Sequence, residues 1–536
     1  MSRDLGDFQT PPELAALLAR RLGPIGDRWP RVLEPTCGRG NFLRAALDAP
    51  SPPREAIGVE LQRAYCDEAR AAVGDRATIL NADVFAVDFA ALPWRGGGPI
   101  LAIGNPPWVT NAALGKLGSG NRPERRNVDG RAGLDAMTGA SNFDLAEAVW
   151  LRLLDAHSGG PATIALLCKT SVALAVLDRL HRRGPSASSE WVEVDARRWF
   201  GATVAAGFLV VTLGEPSSRV SVYPHPEALA SSRSMGWVGD RFAADFEAAS
   251  SLTFAVGPSS LDWRQGIKHD AAAVMELTAD GPLRNGLGEI VDVEPEYLYP
   301  LMKGADLAGG GSETSPLPPG EGTLGASSPS SDAGRNERIR RPRRFLIVPH
   351  KSLGEDTRGL ESEAPRLWAY LNAHAGRLAA RRSSIYRGRP PFSLFGVGPY
   401  AFATSKVAVA GIHRPTRFRA IGPVDGRPVV LDDTCYLLPC RSAEEAAVLA
   451  ALGNDPAVLA LLRALAPADS KRPVTKSLLR SIDLAAVLAR ADRPALIARA
   501  VVAMRDMGWA GDPTAAIGPE IERLARSLSV SPPEAP

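Results

Sequence analysis

The chain has 536 residues, 45% of them apolar and 23% charged, a composition of soluble globular type but too long for one ordinary core, so two or three domains are expected. Met1 is followed by no basic-then-apolar leader and no apolar run approaches about eighteen residues, which argues against secretion or a membrane span and for a cytoplasmic protein. The cysteines Cys37, Cys66, Cys168, Cys435 and Cys440 form no CxxC pair and no zinc-finger spacing with histidine, so a reducing compartment and no metal site are expected.

The net charge of +3 conceals an asymmetry: residues 335–427 hold 19 Lys+Arg against 6 Asp+Glu. A basic block of that size is the footprint of a polyanion-binding module.

In chain order, Arg31–Pro35, Ala56–Leu61, Ala77–Val84, Ile100–Asn105 and Thr163–Lys169 read as buried strands. Amphipathic stretches at Asn41–Ala49, Gln62–Val73 and Phe143–Ala156 lie between them. The alternation predicts an α/β fold, a Rossmann-like doubly wound parallel sheet with ligands at the carboxyl ends of its strands. Trp191–Asp195 and Ala206–Leu213 suggest a terminal antiparallel hairpin, giving a first domain over 1–215. Residues 216–260 are Ser/Pro/Ala-rich and read as a connector. A second, α+β domain is expected over 261–481, interrupted by a Gly/Ser/Pro-dense segment at 308–336 that reads as a disordered insertion. The stretch 482–536 is alanine-rich and helical in pattern, and no internal repeat of fixed period occurs.

Three strand ends carry acids. Glu34 precedes the turn Pro35-Thr36-Cys37-Gly38-Arg39-Gly40, which opens a helix at Asn41. Glycines there let the backbone approach a nucleotide-like ligand. The turn is not GxGxxG and has no Walker lysine, so a phosphate is disfavoured; S-adenosylmethionine has none, and its cationic amine suits Glu34. Glu60, 26 residues on, is placed to accept from ribose hydroxyls, and Asp83 to take an exocyclic adenine amine. A solvated strand-end acid explains any one of them; three in succession point to a cofactor.

The fourth strand ends in Asn105-Pro106-Pro107-Trp108. Two prolines remove two donors and fix φ, making a rigid extended corner. Such a corner holds the Asn105 side-chain oxygen and the Pro106 carbonyl as acceptors for one amino group. An aryl amine is a poor nucleophile, and accepting both of its N–H bonds concentrates density on nitrogen for attack on a sulfonium methyl. Trp108 offers a face on which an extruded base stacks. No cysteine is needed as a nucleophile, which disfavours a cytosine-C5 mechanism.

Phe8–Leu18 (FQTPPELAALL), Glu34–Phe42 (EPTCGRGNF), Glu60, Asp83, the NPPW corner and Phe200, in this order, resemble the motifs of gamma-class N6-adenine DNA methyltransferases of the TaqI-like and Eco57I-like kind. The resemblance covers about residues 6–215 and continues more loosely through Trp263–Asp270 and Tyr297–Asp306, which look like the family's target-recognition region. It implies that Thr10 and Pro11 pack at the methionine end of the cofactor and that Glu34, Cys37, Gly38 and Gly40 line the amino-acid part. It further implies Glu60 at the ribose, Asp83 and Val84 at the adenine, and Asn105, Pro106, Pro107 and Trp108 at the target amine. A second aromatic ahead of the last hairpin would sandwich the flipped base; Trp199 and Phe200 both stand there, and Phe200 is favoured. Trp replaces the more usual Tyr at 108, and the segment 308–336 falls just after the Lys303-Gly304-Ala305-Asp306 stretch.

The partner implied is double-stranded DNA, with a separately encoded restriction endonuclease in a restriction-modification or phage-defence setting. Lys268, Lys303, Arg387 and Arg389 are candidate DNA contacts, within or near a segment that interleaves aromatics with cations (Tyr386 to Phe402). Two other readings compete. Ribosomal-RNA-amine and protein-glutamine methyltransferases share the NPP-aromatic corner, but usually carry their recognition module ahead of the catalytic domain, whereas here some 320 residues follow it. A catalytically silent DNA-binding subunit would not need Glu34, Glu60, Asp83 and Asn105 together. A fused nuclease is not expected.

Overall fold

The computed structural model describes residues 8–109, 144–309 and 344–528, apart from 185, 280 and 467–469. The proposed insertion at 308–336 therefore falls almost wholly outside the described residues, as does 529–536. The chain divides into two compact units, Met1–Glu247 and Ala248–Pro536.

The first unit is built on helix α1 (Pro12–Arg21), β1 (Arg31–Glu34), α2 (Asn41–Leu47), β2 (Glu55–Glu60), α3 (Arg63–Val73), β3 (Thr78–Asn81), β4 (Ile100–Gly104), α4 (Leu145–Ala156), β5 (Ala162–Lys169), α5 (Thr170–Arg182), β6 (Ala187–Val194), α6 (Ala196–Phe200) and β7 (Ala206–Leu213). All five predicted parallel strands form, and the hairpin closes as β6 and β7, with β7 antiparallel to both β5 and β6. Strands β3-β2-β1-β4-β5-β7-β6 follow in that order across the sheet. The order reverses between β1 and β4, which pair in parallel with Leu33 opposite Ala102. Ligands of doubly wound sheets bind at such a switch point.

Burial on both faces explains the unbroken apolar runs. On one face Leu14 and Leu18 of α1, Phe42 of α2 and Cys66 of α3 pack against Leu101 and Ile103. On the other, Trp150 and Leu153 of α4 and Val176 of α5 cover Leu33, Ile57 and Ile164. The third strand is shorter than predicted. It stops at Asn81 because Asp83 starts a turn, its carboxylate accepting from the Phe85 N–H at 2.9 Å and its carbonyl from Ala86.

The stretch read as a connector is not structureless. It supplies β8 (Arg219–Tyr223), β9 (Arg233–Val238) and β10 (Arg241–Ala243), which extend the same sheet to ten strands beyond β6. Val220 and Val222 are buried between more exposed neighbours, the two-residue period of a half-buried strand, and β8 pairs in parallel with β6. The surrounding serines and prolines obscure that short alternation.

The second unit contains two mostly antiparallel sheets. One comprises β11 (Arg264–Gln265), β16 (Ser405–Ala410), β17 (Phe418–Ile421) and β19 (Cys435–Cys440); the other β12 (Glu276–Thr278), β13 (Arg284–Asn285), β14 (Leu298–Met302), β15 (Arg344–Ile347) and β18 (Val430–Leu431). Helices accompany both, as expected of an α+β region. The stretch from 482 onward is part of this unit: helices Leu484–Arg490, Arg493–Asp506 and Thr514–Leu528 bury Leu488, Met504 and Ile521. Among the described residues no single helix is long and apolar enough to cross a membrane, and no group of three or more potential metal ligands occurs.

Candidate functional site

A cavity of about 280 Å³ opens at the carboxyl ends of β1, β2 and β4 and is lined by Thr10, Glu34, Cys37, Gly38, Glu60 and Asp83, among others. Val84, Asn105 and Pro107 complete the predicted residues on its wall. Pro11 and Gly40 do not line it. Pro11 is the N-cap of α1, and its carbonyl accepts from Ala15 at 3.0 Å; Gly40 is the N-cap of α2, left-handed at φ 76°. Their contribution is to the elements that carry the wall.

The turn after β1 is held by carboxylates rather than by glycine alone. Gly38, at φ +49°, donates its N–H to Glu60 Oε2 at 2.9 Å, and a Cβ there would lie 2.4 Å from Gln9 Oε1. Glu60 Oε1 accepts from the Gln62 N–H at 2.7 Å. Glu34 accepts from the Leu43 N–H at 3.0 Å, and no Lys or Arg among the described residues pairs with it. Burial, together with the nearby Glu60, holds the Glu34 carboxyl well above the usual carboxylate range despite that N–H. Burial and the same two acids push the Cys37 thiol up, so it stays neutral and is no nucleophile. The Thr36 hydroxyl is buried on this wall without a partner.

Beside the cavity stands the Asn105–Trp108 corner. Asn105 Nδ2 donates to the Phe8 carbonyl at 2.9 Å, while Asn105 Oδ1 is buried with no donor facing it. Trp108 and Phe200 meet edge to face with centroids 5.3 Å apart and planes at 65°. Phe8 closes the cluster, 5.6 Å from Trp108 and 6.0 Å from Phe200. Phe200, not Trp199, is thus the ring beside Trp108; Trp199 lies under the Arg198 guanidinium. A planar ring sandwiched between two others needs them about 7 Å apart, two van der Waals spacings. Trp108 and Phe200 leave no such gap between them.

Phe8 and Lys169 are among the residues of this site that escaped assignment from sequence. Phe8 was visible in the FQTPP run but carried no role there. Lys169, the last residue of β5, donates to the Trp108 carbonyl at 2.9 Å and to Asp144 Oδ2 at 2.7 Å.

The four candidate DNA contacts lie in the second unit and are not alike. Lys268 bridges Asp270 at 3.0 Å and Asp433 at 3.6 Å. Lys303 bridges Glu276 at 2.6 Å, and His269 reaches the other oxygen of that carboxylate at 3.2 Å. Arg387 and Arg389 are exposed, Arg389 with its guanidinium 5.7 Å from the Phe395 ring centroid.

No family model matches the chain. Among solved structures it is similar to the type IIL restriction-modification enzyme MmeI in complex with DNA, at 11% identity and a TM-score of 0.46 over 98% of this chain and 73% of that one. It is also similar to the methyltransferase subunit of a type I restriction-modification system from Streptococcus thermophilus, at 16% identity and a TM-score of 0.30 over 40% and 46% of the two chains. The likeness in sequence is far stronger: the type II methyltransferase M.NspV of Nostoc sp. is 34% identical over 494 residues, 90% of this chain and 96% of its own. A match of that length runs through both units, and the chain belongs to the family of type II methyltransferases.

Proposed function

We propose that the chain is a restriction-modification DNA methyltransferase that moves a methyl group from S-adenosylmethionine to the N6 amine of adenine in duplex DNA. The observation that carries this reading is the Asn105 amide. The Phe8 carbonyl claims its Nδ2 at 2.9 Å, which orients Oδ1 as an acceptor with no donor of its own. A buried acceptor left unmade costs about 1–3 kcal/mol, and such groups persist where a ligand supplies the missing donor. An amine N–H is that donor, with the Pro106 carbonyl as acceptor for the second hydrogen.

The cofactor fits the residues of the cavity. Glu34 is a buried carboxyl with no basic partner among the described residues, suited to the cationic amino-acid end. Glu60 and Asp83 stand at the next two strand ends, for ribose and adenine. When bound, S-adenosylmethionine supplies an electrophilic sulfonium methyl. The protein's part is then positioning, with the amine held in line and no covalent intermediate on a side chain. Phe8, Trp108 and Phe200 exclude water from the amine, and Trp108 gives the extruded base a face. Extrusion costs a few kcal/mol, offset by phosphate contacts from exposed cations such as Arg387 and Arg389. A separately encoded endonuclease specific for the unmethylated site is the expected counterpart.

The test is transfer of labelled methyl groups from S-adenosylmethionine to unmethylated duplex DNA, followed by base analysis. N6-methyladenine is expected, with Asn105→Ala lowering the rate on the order of 10²–10³-fold, as for loss of one aimed polar group at a reacting centre. Label in RNA or protein but not in DNA overturns the reading, and label on cytosine overturns its choice of base.

A further inference from the structure

We propose that Lys169 and Asp144 are a positioning pair for methyl transfer: the ammonium of Lys169 fixes the main chain at Trp108, and with it the ring that receives the target base. The inference rests on the reading of Asn105–Trp108 as the methyl-transfer corner.

Strand β5 lies next to β4, with Gly104 opposite Leu166. Lys169 therefore stands three residues past that register, on the side of the sheet where the following Asn105–Trp108 corner turns. Its alternation partners Ala165 and Leu167 belong to the same core face as Trp108 and Phe200. There the ammonium donates to the Trp108 carbonyl at 2.9 Å and to Asp144 Oδ2 at 2.7 Å.

Asp144 is itself committed on both oxygens, because Oδ1 accepts from the Ala146 N–H at 3.1 Å as the N-cap of α4. One residue further along, Leu145 N–H donates to the Val109 carbonyl at 2.9 Å. Strand β5 and the start of helix α4 thus grip two consecutive carbonyls, those of Trp108 and Val109. The prolines at 106 and 107 have no N–H to anchor the corner to a neighbouring element, so carbonyl contacts are what remains to hold its exit. The pair is largely shielded from water, with side-chain exposures of 21% for Lys169 and 9% for Asp144, so its geometry is less loosened by solvent than a surface bridge.

The experiment compares Lys169→Met, Asp144→Asn and the double variant with wild type, using single-turnover transfer of labelled methyl to unmethylated genomic DNA. Cofactor affinity is measured alongside by calorimetry. Lys169→Met is expected to slow transfer on the order of 10–100-fold, the scale of a small misplacement at a reacting centre, with cofactor affinity within about twofold. The double variant, which leaves no uncompensated charge, is expected to stay slow. Its recovery to the wild-type rate would mean that an unpaired aspartate, not lost positioning, caused the defect, and would overturn the proposal. In a Trp108→Ala background, removing Lys169 is expected to cost less than threefold more; an undiminished loss there also overturns it. Fluorine NMR of 5-fluorotryptophan protein, with the Trp108 signal assigned by its loss in Trp108→Phe, supplies a readout independent of activity. That signal should broaden or split in Lys169→Met, and an unchanged signal refutes the clamp. If the wild-type protein labels no DNA, the methyl-transfer reading falls, and the fluorine signal alone still decides whether Lys169 fixes Trp108.

Discussion

The cavity of the first unit and the ion-pair clusters of the second treat buried polar groups in opposite ways. In the first, Glu34 is buried beside a second carboxylate with no basic partner among the described residues, and Asn105 Oδ1 and the Thr36 hydroxyl are buried without hydrogen bonds. In the second, His269, Glu276 and Lys303 form a closed chain of contacts, Asp306 is held by Arg344, and fully buried Lys406 donates to the carbonyls of Ala401 and Val429 at 2.7 Å each. Unmet groups at a strand-end cavity are what a ligand completes. Met ones are architecture, even where the residue types suggest recognition.

The sharpest way to break that contrast is at Glu34. Replacing it with Gln keeps an acceptor for Leu43 but removes the group that can ionise against a bound cationic ligand. Cofactor affinity should fall about 100-fold, the 1.5–3 kcal/mol typical of a hydrogen bond to a charged group. Stability should move the other way. The folded carboxyl holds its proton above the pH at which the unfolded chain has lost it, so its stabilising contribution is complete at low pH. That contribution is lost as pH rises through the raised folded value. Glu34→Gln cannot ionise, so without cofactor its melting temperature should exceed that of wild type increasingly as pH rises from the unfolded carboxyl's range toward the raised folded value. Calorimetric titration and thermal melts over that range measure both arms. Equal affinity in the two proteins would show that Glu34 is an architectural carboxyl and erase the distinction.

The first unit was the more legible in sequence for the same physical reason. Strands buried on both faces leave continuous apolar runs, and residues at their ends face the cavity rather than the apolar core, so Glu34, Glu60 and Asn105 stand out against the pattern. Phe8 and Lys169 did not stand out. An aromatic ahead of a helix and a lysine after an apolar strand are ordinary until the fold brings them to the NPPW corner. The strands of 219–243 were missed because their alternation spans only a few residues among turn formers. In the second unit, charge counting overestimated what is available to a partner. Within the basic block Lys406 and Arg419 are buried, and Arg344, Arg358 and Arg366 are each bound to a carboxylate. Linear sequence records the charges but not their long-range counter-ions, such as Asp306 for Arg344.

Lys406 sharpens the contrast from the other side, as a buried charge satisfied only by dipoles. Burial pushes its ammonium down from 10.5 to about 7. Below pH 7 folded and unfolded chains both hold the proton, and the cost of burying the charge is constant. From pH 7 up to the unfolded value the folded chain has released a proton that the unfolded chain still holds, so stability rises with pH. Relative to Lys406→Met, wild type should gain up to about 1.4 kcal/mol per pH unit across that window. Urea denaturation of both proteins at pH 7, 8 and 9 measures the difference. A flat difference would mean that the two carbonyls keep the ammonium charged, making this site as fully compensated as the Glu276 cluster.

The smallest effects should separate the four cations once grouped as DNA contacts. If Arg387 and Arg389 meet phosphates, each change to Ala should weaken binding to duplex DNA severalfold and lower the slope of log affinity against log salt by about one. Lys268 is already engaged by Asp270 and Asp433, and Lys303 by Glu276, so neither should release a counter-ion on binding. Lys268→Ala and Lys303→Ala should leave the salt slope unchanged. Lys303→Ala should instead lower stability, because Glu276, largely buried, then keeps only His269. Titrations at several salt concentrations distinguish the pairs. A reduced slope for either lysine would mean that its carboxylates surrender it to phosphate, and that the internal ion pairs of this unit are a reserve for DNA rather than a fixed part of the scaffold.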